Sequence, residues 1–290
     1  MKNIHINIML SLALVVLLMT GCEREQKSGI RSVAYSNPDD YSTEEISSNV
    51  LRVEFGRGSG NNVSMFLSIT DQDGIPLQNF TIGNIEMYQM LGQDSIQINI
   101  ESMYELNKQG NPDPIAAAMT MDYSGSMSNS DIQSMEDAVK SFVRLKDDQD
   151  LVEIIKFASN IEKVQSLITD TSLLIQAIEG YTGVSGSTAF YSSCAEGINS
   201  VKNLTSVIPA VIALTDGQDN SSYISLNELI ELAQITQIPV YTIDYGSTVI
   251  SSNLLQLAEE TGGRAFNSPD DSDIINLYEI ISGQLSNLYV

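Results

Sequence analysis

Beyond His5 the 290-residue chain contains no histidine, and that gap removes much of enzyme chemistry. A Ser-His-Asp or Cys-His arrangement cannot be assembled without an imidazole, and histidine-ligated zinc hydrolysis is excluded with it. No Gly-x-x-x-x-Gly-Lys phosphate loop and no Gly-x-Ser-x-Gly elbow occurs, so the commonest nucleotide and acyl-transfer signatures are missing. Cysteine is nearly as scarce, at positions 22 and 194 only. Cys194, in Ala189-Phe-Tyr-Ser-Ser-Cys-Ala, reads as a small buried hydrophobe on a helix. Basic residues are few, with Lys+Arg 14 against Asp+Glu 37 and a formal net charge of −23. That balance argues against a nucleic acid partner and against direct contact with anionic lipid head groups. It favours divalent cations.

What is present begins with an export leader. Lys2 precedes an apolar run from Ile8 to Met19, broken only by Ser11 and ending in small residues, which is the pattern of a cleaved signal rather than a fold element. The run is short for a membrane-spanning helix. Met19-Thr20-Gly21-Cys22 resembles a bacterial lipobox, with Met19 where leucine or valine is usual. The resemblance implies that residues 1–21, His5 included, are removed and that Cys22 carries the lipid. At about 0.8 kcal/mol per buried methylene, two or three acyl chains anchor a protein stably. The expectation is a bacterial cell-envelope protein at the outer membrane or cell surface rather than the inner membrane, touching the bilayer only through its lipid. Cys194 is then the one thiol left, so no intrachain disulfide can form. Residues 22–50, rich in Ser, Glu, Asp and Asn, read as a flexible acidic tether.

From 51 to 112 the pattern has period two. Val63, Met65, Leu67 and Ile69 alternate with Ser64, Phe66, Ser68 and Thr70, and Ile96, Ile98 and Ile100 alternate with Gln97 and Asn99, which predicts strands with one buried face. Asp71-Gln-Asp-Gly74 is a turn signal. Together these predict a small β-sandwich-like unit.

From 113 to 290 apolar strands alternate with amphipathic helices. Strands are predicted at 115–121, 151–157, 161–167, 207–214, 240–243 and 264–266. Helices are predicted at 131–146, capped by Ser130 or Asp131, and at 171–178, 188–201, 226–235, 253–260 and 273–288. The alternation implies the α/β class: a doubly wound, mostly parallel sheet with helices on both faces. In such sheets ligands bind beyond the carboxyl ends of the strands. Asp122 and Asp216 each follow the end of an apolar strand, so both are placed at that edge.

Five residues share one chemistry: Asp122, Ser124 and Ser126 in Met121-Asp-Tyr-Ser-Gly-Ser-Met127, Thr188 in Ser-Gly-Ser-Thr-Ala, and Asp216 in Leu-Thr-Asp-Gly-Gln-Asp. Two carboxylates and three hydroxyls offer oxygen alone, which suits a small hard cation and suits zinc or copper poorly. On these motifs, residues 113–290 resemble a von Willebrand factor type A domain, the fold shared with integrin I domains. That family carries a metal-ion-dependent adhesion site of Asp-x-Ser-x-Ser with a distant Thr and Asp. The resemblance implies that Asp122, Ser124, Ser126, Thr188 and Asp216 hold Mg²⁺ or Mn²⁺. It further implies that Ser124 and Ser126 ligate directly, Asp122 and Asp216 act mainly through water, and Thr188 ligates in the ligand-engaged state. Asp219 stands close enough to shape the local field, outside the ligand set.

The function expected is recognition, not catalysis: the metal accepts an Asp or Glu carboxylate from a partner protein. The alternative is a scaffold subunit of an envelope complex, with the small β unit as main interface and a structural metal site. A metal-dependent hydrolase ranks below both, because no histidine and no paired general acid and base are visible. A haloacid-dehalogenase-type phosphatase needs a second Asp where Ser124 stands.

Overall fold

The computed structural model describes residues 6–11, 15–17, 46–55, 63–71, 76, 77, 80–91, 94–105, 113–180, 184–216, 218–245, 250–268, 281 and 288–290. Cys22, most of the expected tether, the turn after Asp71 and nearly all of the expected 273–288 helix lie outside these residues. The chain divides into two compact units: one comprises Met1–Lys27, Ser36–Pro112 and Gly283–Val290, and the other Ser28–Tyr35 and Asp113–Ser282.

In the first unit, β1 (Ile6–Ser11) and β2 (Val15–Leu17) precede β3 (Ile46–Phe55), β4 (Val63–Asp71), β5 (Ile85–Leu91) and β6 (Asp94–Ile98). They form a four-stranded sheet ordered β2-β1-β5-β6 and a second sheet in which β4 pairs antiparallel with β3. Leu67 and Ile69 of β4 pack in one core with Ile85 of β5, joined by Phe80, Met87 and Met103. The unit is β-rich, as expected, and its two sheets share this core.

Three boundaries differ from expectation. Strand β3 starts at Ile46, inside the segment read as tether, because its register against β4 runs from Ile46↔Asp71 to Phe55↔Val63. Segment Ile6–Ser11, expected outside the fold, lies parallel to β5 from Ile6↔Ile85 to Ser11↔Met90. An extended apolar segment satisfies its backbone groups on an open sheet edge, and removal of residues 1–21 would expose that edge again. The chain's end, expected as the close of a helix, is instead β13 (Leu288–Tyr289), paired antiparallel with β4. Tyr289 is 1% exposed. Its hydroxyl contacts Leu77 O and Glu105 Oε1 at 2.9 and 3.0 Å, so this short strand is fixed by one buried aromatic more than by its ladder.

In the second unit, β7 (Ile115–Asp122), α1 (Asn129–Leu145), β8 (Leu151–Phe157), β9 (Ile161–Ile168), α2 (Thr171–Glu179), α3 (Phe190–Val201), β10 (Ile208–Thr215), α4 (Leu226–Thr236), β11 (Val240–Tyr245), α5 (Ser252–Glu260) and β12 (Ala265–Ser268) follow in order. The sheet runs β12-β11-β10-β7-β8-β9. All neighbours are parallel except β8 and β9. Strand β7 is buried along its whole length. Ala116 and Ala118 pack with Cys194, Ile198 and Leu229 of α3 and α4, while Ala117, Met119 and Met121 are as deeply buried on the other face. That is the continuous apolar run of a strand covered on both sides. Small residues let α3 come close: a Cβ on Gly197 would stand 3.1 Å from the Ala118 Cβ.

Candidate functional site

The strand order places the ends of β7 and β10 side by side, with Leu214 opposite Met121. Past those ends the chain turns from strand to loop, and the candidate residues gather there. Asp122 is fully buried. Its Oδ1 accepts the Ser124 N–H at 2.7 Å, and its Oδ2 accepts the Thr215 hydroxyl at 2.6 Å. The Ser124 and Ser126 hydroxyls are 3.1 Å apart, and the Ser126 hydroxyl donates to Asp216 Oδ1 at 2.8 Å. Four of the five residues therefore form one chain of hydrogen bonds, across 90 positions of sequence between Ser126 and Asp216.

Thr188 enters through its backbone. It was expected on a helix, but α3 begins at Phe190 and Thr188 sits in the loop before it. Its N–H donates to Asn220 Oδ1 at 2.9 Å, and its carbonyl accepts the N–H groups of Asn220 and Ser221 at 3.0 and 3.1 Å. Asn220 thus clamps Thr188 to the segment that follows Asp216. On the other side the Gly125 N–H donates to Gly186 O at 2.8 Å, tying the Thr188 loop to the serine loop. Gly186 has φ +100°, and a Cβ there would stand 2.7 Å from Ser159 Oγ.

Burial holds both site carboxyls above the ordinary carboxylate value, Asp122 most by desolvation and Asp216 likewise. Among the described residues no lysine or arginine pairs with either. Two desolvated carboxylates served only by hydroxyl and amide donors leave negative charge uncompensated, and a divalent cation reverses that effect on carboxyl ionisation. The donor set is oxygen alone and fits a hard cation. Among the described residues no three His, Cys, Asp or Glu side chains are placed to hold a metal ion by themselves, so the arrangement depends on its hydroxyls.

Asp219 works outside the set. Its Oδ1 accepts the Tyr191 N–H at 3.2 Å at the start of α3, where Ala189 offers no side-chain cap. Thr215, Asn220 and Asp244 were not anticipated. Thr215 directly precedes Asp216, and its position opposite the end of β7 could have been read from the pairing of two apolar strands. Asp244, next to last in β11 and beside Thr215, is 4% exposed and accepts the Ser251 N–H at 2.9 Å. Burial raises its carboxyl too, with the charge of Asp216 adding to the effect. Nothing in sequence spacing singled it out.

Solved structures share the fold. A von Willebrand factor type A protein from Catenulispora acidiphila is 15% identical over 83% of this chain and 49% of its own, with a TM-score of 0.53. The conserved hypothetical protein BatB from Bacteroides thetaiotaomicron is 16% identical over 59% of this chain and 98% of its own, with a TM-score of 0.50. Proximal thread matrix protein 1 from the mussel byssus, solved with zinc in its metal-ion-dependent adhesion site, is 15% identical over 60% of this chain and 48% of its own, with a TM-score of 0.52. No curated protein matches the sequence. The family model of the von Willebrand factor type A domain matches residues 118–280, more than half of the sequence, and the chain belongs to that family.

Proposed function

We propose that this chain is a lipid-anchored envelope protein that holds Mg²⁺ or Mn²⁺ with Asp122, Ser124, Ser126, Thr188 and Asp216 and uses it to grip an Asp or Glu carboxylate on a partner protein. The observation that carries the reading is the hydrogen-bonded chain from Thr215 through Asp122, Ser124 and Ser126 to Asp216, which joins two desolvated carboxylates that have no basic counter-ion among the described residues. Domains of this family are generally interaction or adhesion modules, and a metal ion held mostly by neutral oxygens keeps affinity for one more anionic ligand. The zinc in the mussel protein makes zinc the competitor to include when metals are compared.

Capture from the native envelope with wild-type protein and Asp122→Ala in parallel tests the proposal. Wild type should retain a partner in Mg²⁺ or Mn²⁺ and release it in EDTA, and Asp122→Ala should retain none while remaining folded. Retention that survives both treatments overturns it. The anchor is tested separately: Cys22→Ala should move the protein from the membrane fraction to the soluble fraction.

A further inference from the structure

Lys156 is wholly buried in β8, on the face opposite α3. Among the described residues no carboxylate lies within ion-pair distance of it. Its ammonium instead donates to Ile178 O at 2.6 Å and Gly180 O at 2.8 Å, the last carbonyls of α2, where a cation meets the negative end of the helix. It also stands 4.8 Å over the ring of Tyr123, a cation–π contact. A buried charge costs stability that an apolar side chain of similar length avoids, so what the ammonium touches is informative.

Tyr123 is the residue between Asp122 and Ser124. Its N–H donates to Phe157 O at 2.7 Å, and its hydroxyl donates to Glu136 Oε1 of α1 at 2.8 Å. Together with the ammonium on its ring, these bonds hold the first residues of the serine loop against β8 and α1. The same ammonium grips Gly180, eight positions before Thr188. One side chain therefore joins the end of α2 to the loop that begins at Asp122. The Gly125 N–H bond to Gly186 O ties the same serine loop to the Thr188 loop.

We infer that Lys156 is a positioning residue for the metal site: pinned by the Ile178 and Gly180 carbonyls, its ammonium seats Tyr123 and so sets Asp122 and Ser124 against the end of α2. The inference rests on the proposed metal site. A merely structural role for Lys156 makes a different prediction, because a filler of the same volume would then leave metal binding unchanged.

The test is Mn²⁺ titration of the folded chain, followed by the electron paramagnetic resonance signal of free Mn²⁺, with circular dichroism as the check on folding. Lys156→Met should bind Mn²⁺ about tenfold more weakly, the scale on which supporting residues tune metal sites. Lys156→Arg, which keeps charge and donors, should recover most of the loss. A folded Lys156→Met with wild-type Mn²⁺ affinity overturns the inference. Should Lys156→Met fail to fold, Tyr123→Leu decides, since it removes the ring while leaving the ammonium's carbonyl bonds: weaker Mn²⁺ binding supports the inference and unchanged binding overturns it. Wild-type protein that takes up no Mn²⁺ refutes the metal site itself, and the inference falls with it.

Discussion

Cys194 is fully buried on α3 among the residues of the core, and desolvation pushes its thiol up to about 12. The thiolate is the reactive form, so iodoacetamide at neutral pH should leave Cys194 unmodified in the native protein and label it only after denaturation, as read by peptide mass spectrometry. Gly186 makes the opposite kind of prediction. Its φ of +100° and the 2.7 Å approach to Ser159 Oγ leave no room for a side chain. Gly186→Ala should therefore cost about 1–2 kcal/mol from backbone conformation alone, measured by urea unfolding, and should weaken Mn²⁺ binding by displacing the loop that carries Thr188. At this scale the five candidate residues could be singled out in the sequence because Asp-x-Ser-x-Ser is a local motif and Asp122 and Asp216 each follow an apolar strand. Asn220 and Lys156 were not. Their roles come from bonds to Thr188, Ile178 and Gly180 that join distant stretches of chain, and an amide or a lysine carries no local mark of such a task.

The elements of the second unit were largely legible, since strands buried on both faces and helices with one apolar stripe announce themselves by composition and period. Their ends were not. Helix α1 was expected to start from Ser130 or Asp131, yet Ser128 is the cap: its hydroxyl accepts the Asp131 N–H at 3.2 Å while Asp131 Oδ2 accepts the Ser128 N–H at 3.1 Å. In Ser128-Asn-Ser-Asp131 several residues could cap, and the choice is made by where β7 and the serine loop deliver the chain. Ser128→Ala should destabilise the domain by about 1 kcal/mol, seen as a lower urea midpoint with unchanged slope. Because Ser128 lies two residues past Ser126, the same variant reports whether the serine loop needs a firmly started α1: Mn²⁺ affinity should fall along with stability. Strand β13 marks the other limit of sequence reading. Two residues have no period to detect, and their pairing with β4 depends on a register more than 200 positions away in sequence.

Across the whole molecule the formal net charge of −23 makes the compact state repel itself, and the metal site concentrates the problem. Burial raises the carboxyls of Asp122, Asp216 and Asp244 from an ordinary value near 3.8. A group raised on folding contributes stability that is complete below its ordinary value and is lost as pH rises through its folded value. These three therefore weaken the metal-free protein as pH climbs above 3.8. Asp137, held low by the hydrogen bond from Lys140, acts in the opposite sense, so the melting curve of the metal-free protein alone mixes both contributions. The difference between melting temperatures in Mn²⁺ and in EDTA, taken at equal ionic strength, cancels the groups that do not touch the site. Protons compete with the cation for Asp122 and Asp216, so that difference should be near zero around pH 4 and grow towards pH 7. At a free metal concentration 100-fold above the dissociation constant the gain is about 2.7 kcal/mol, or roughly 5–10 °C for a domain of this size. Asp122→Ala should show no such growth with pH, and sodium chloride at matched ionic strength should not reproduce it. A gain of equal size at every pH, or one retained by Asp122→Ala, would mean that the cation relieves the general negative charge of the molecule and not Asp122 and Asp216 at the strand ends.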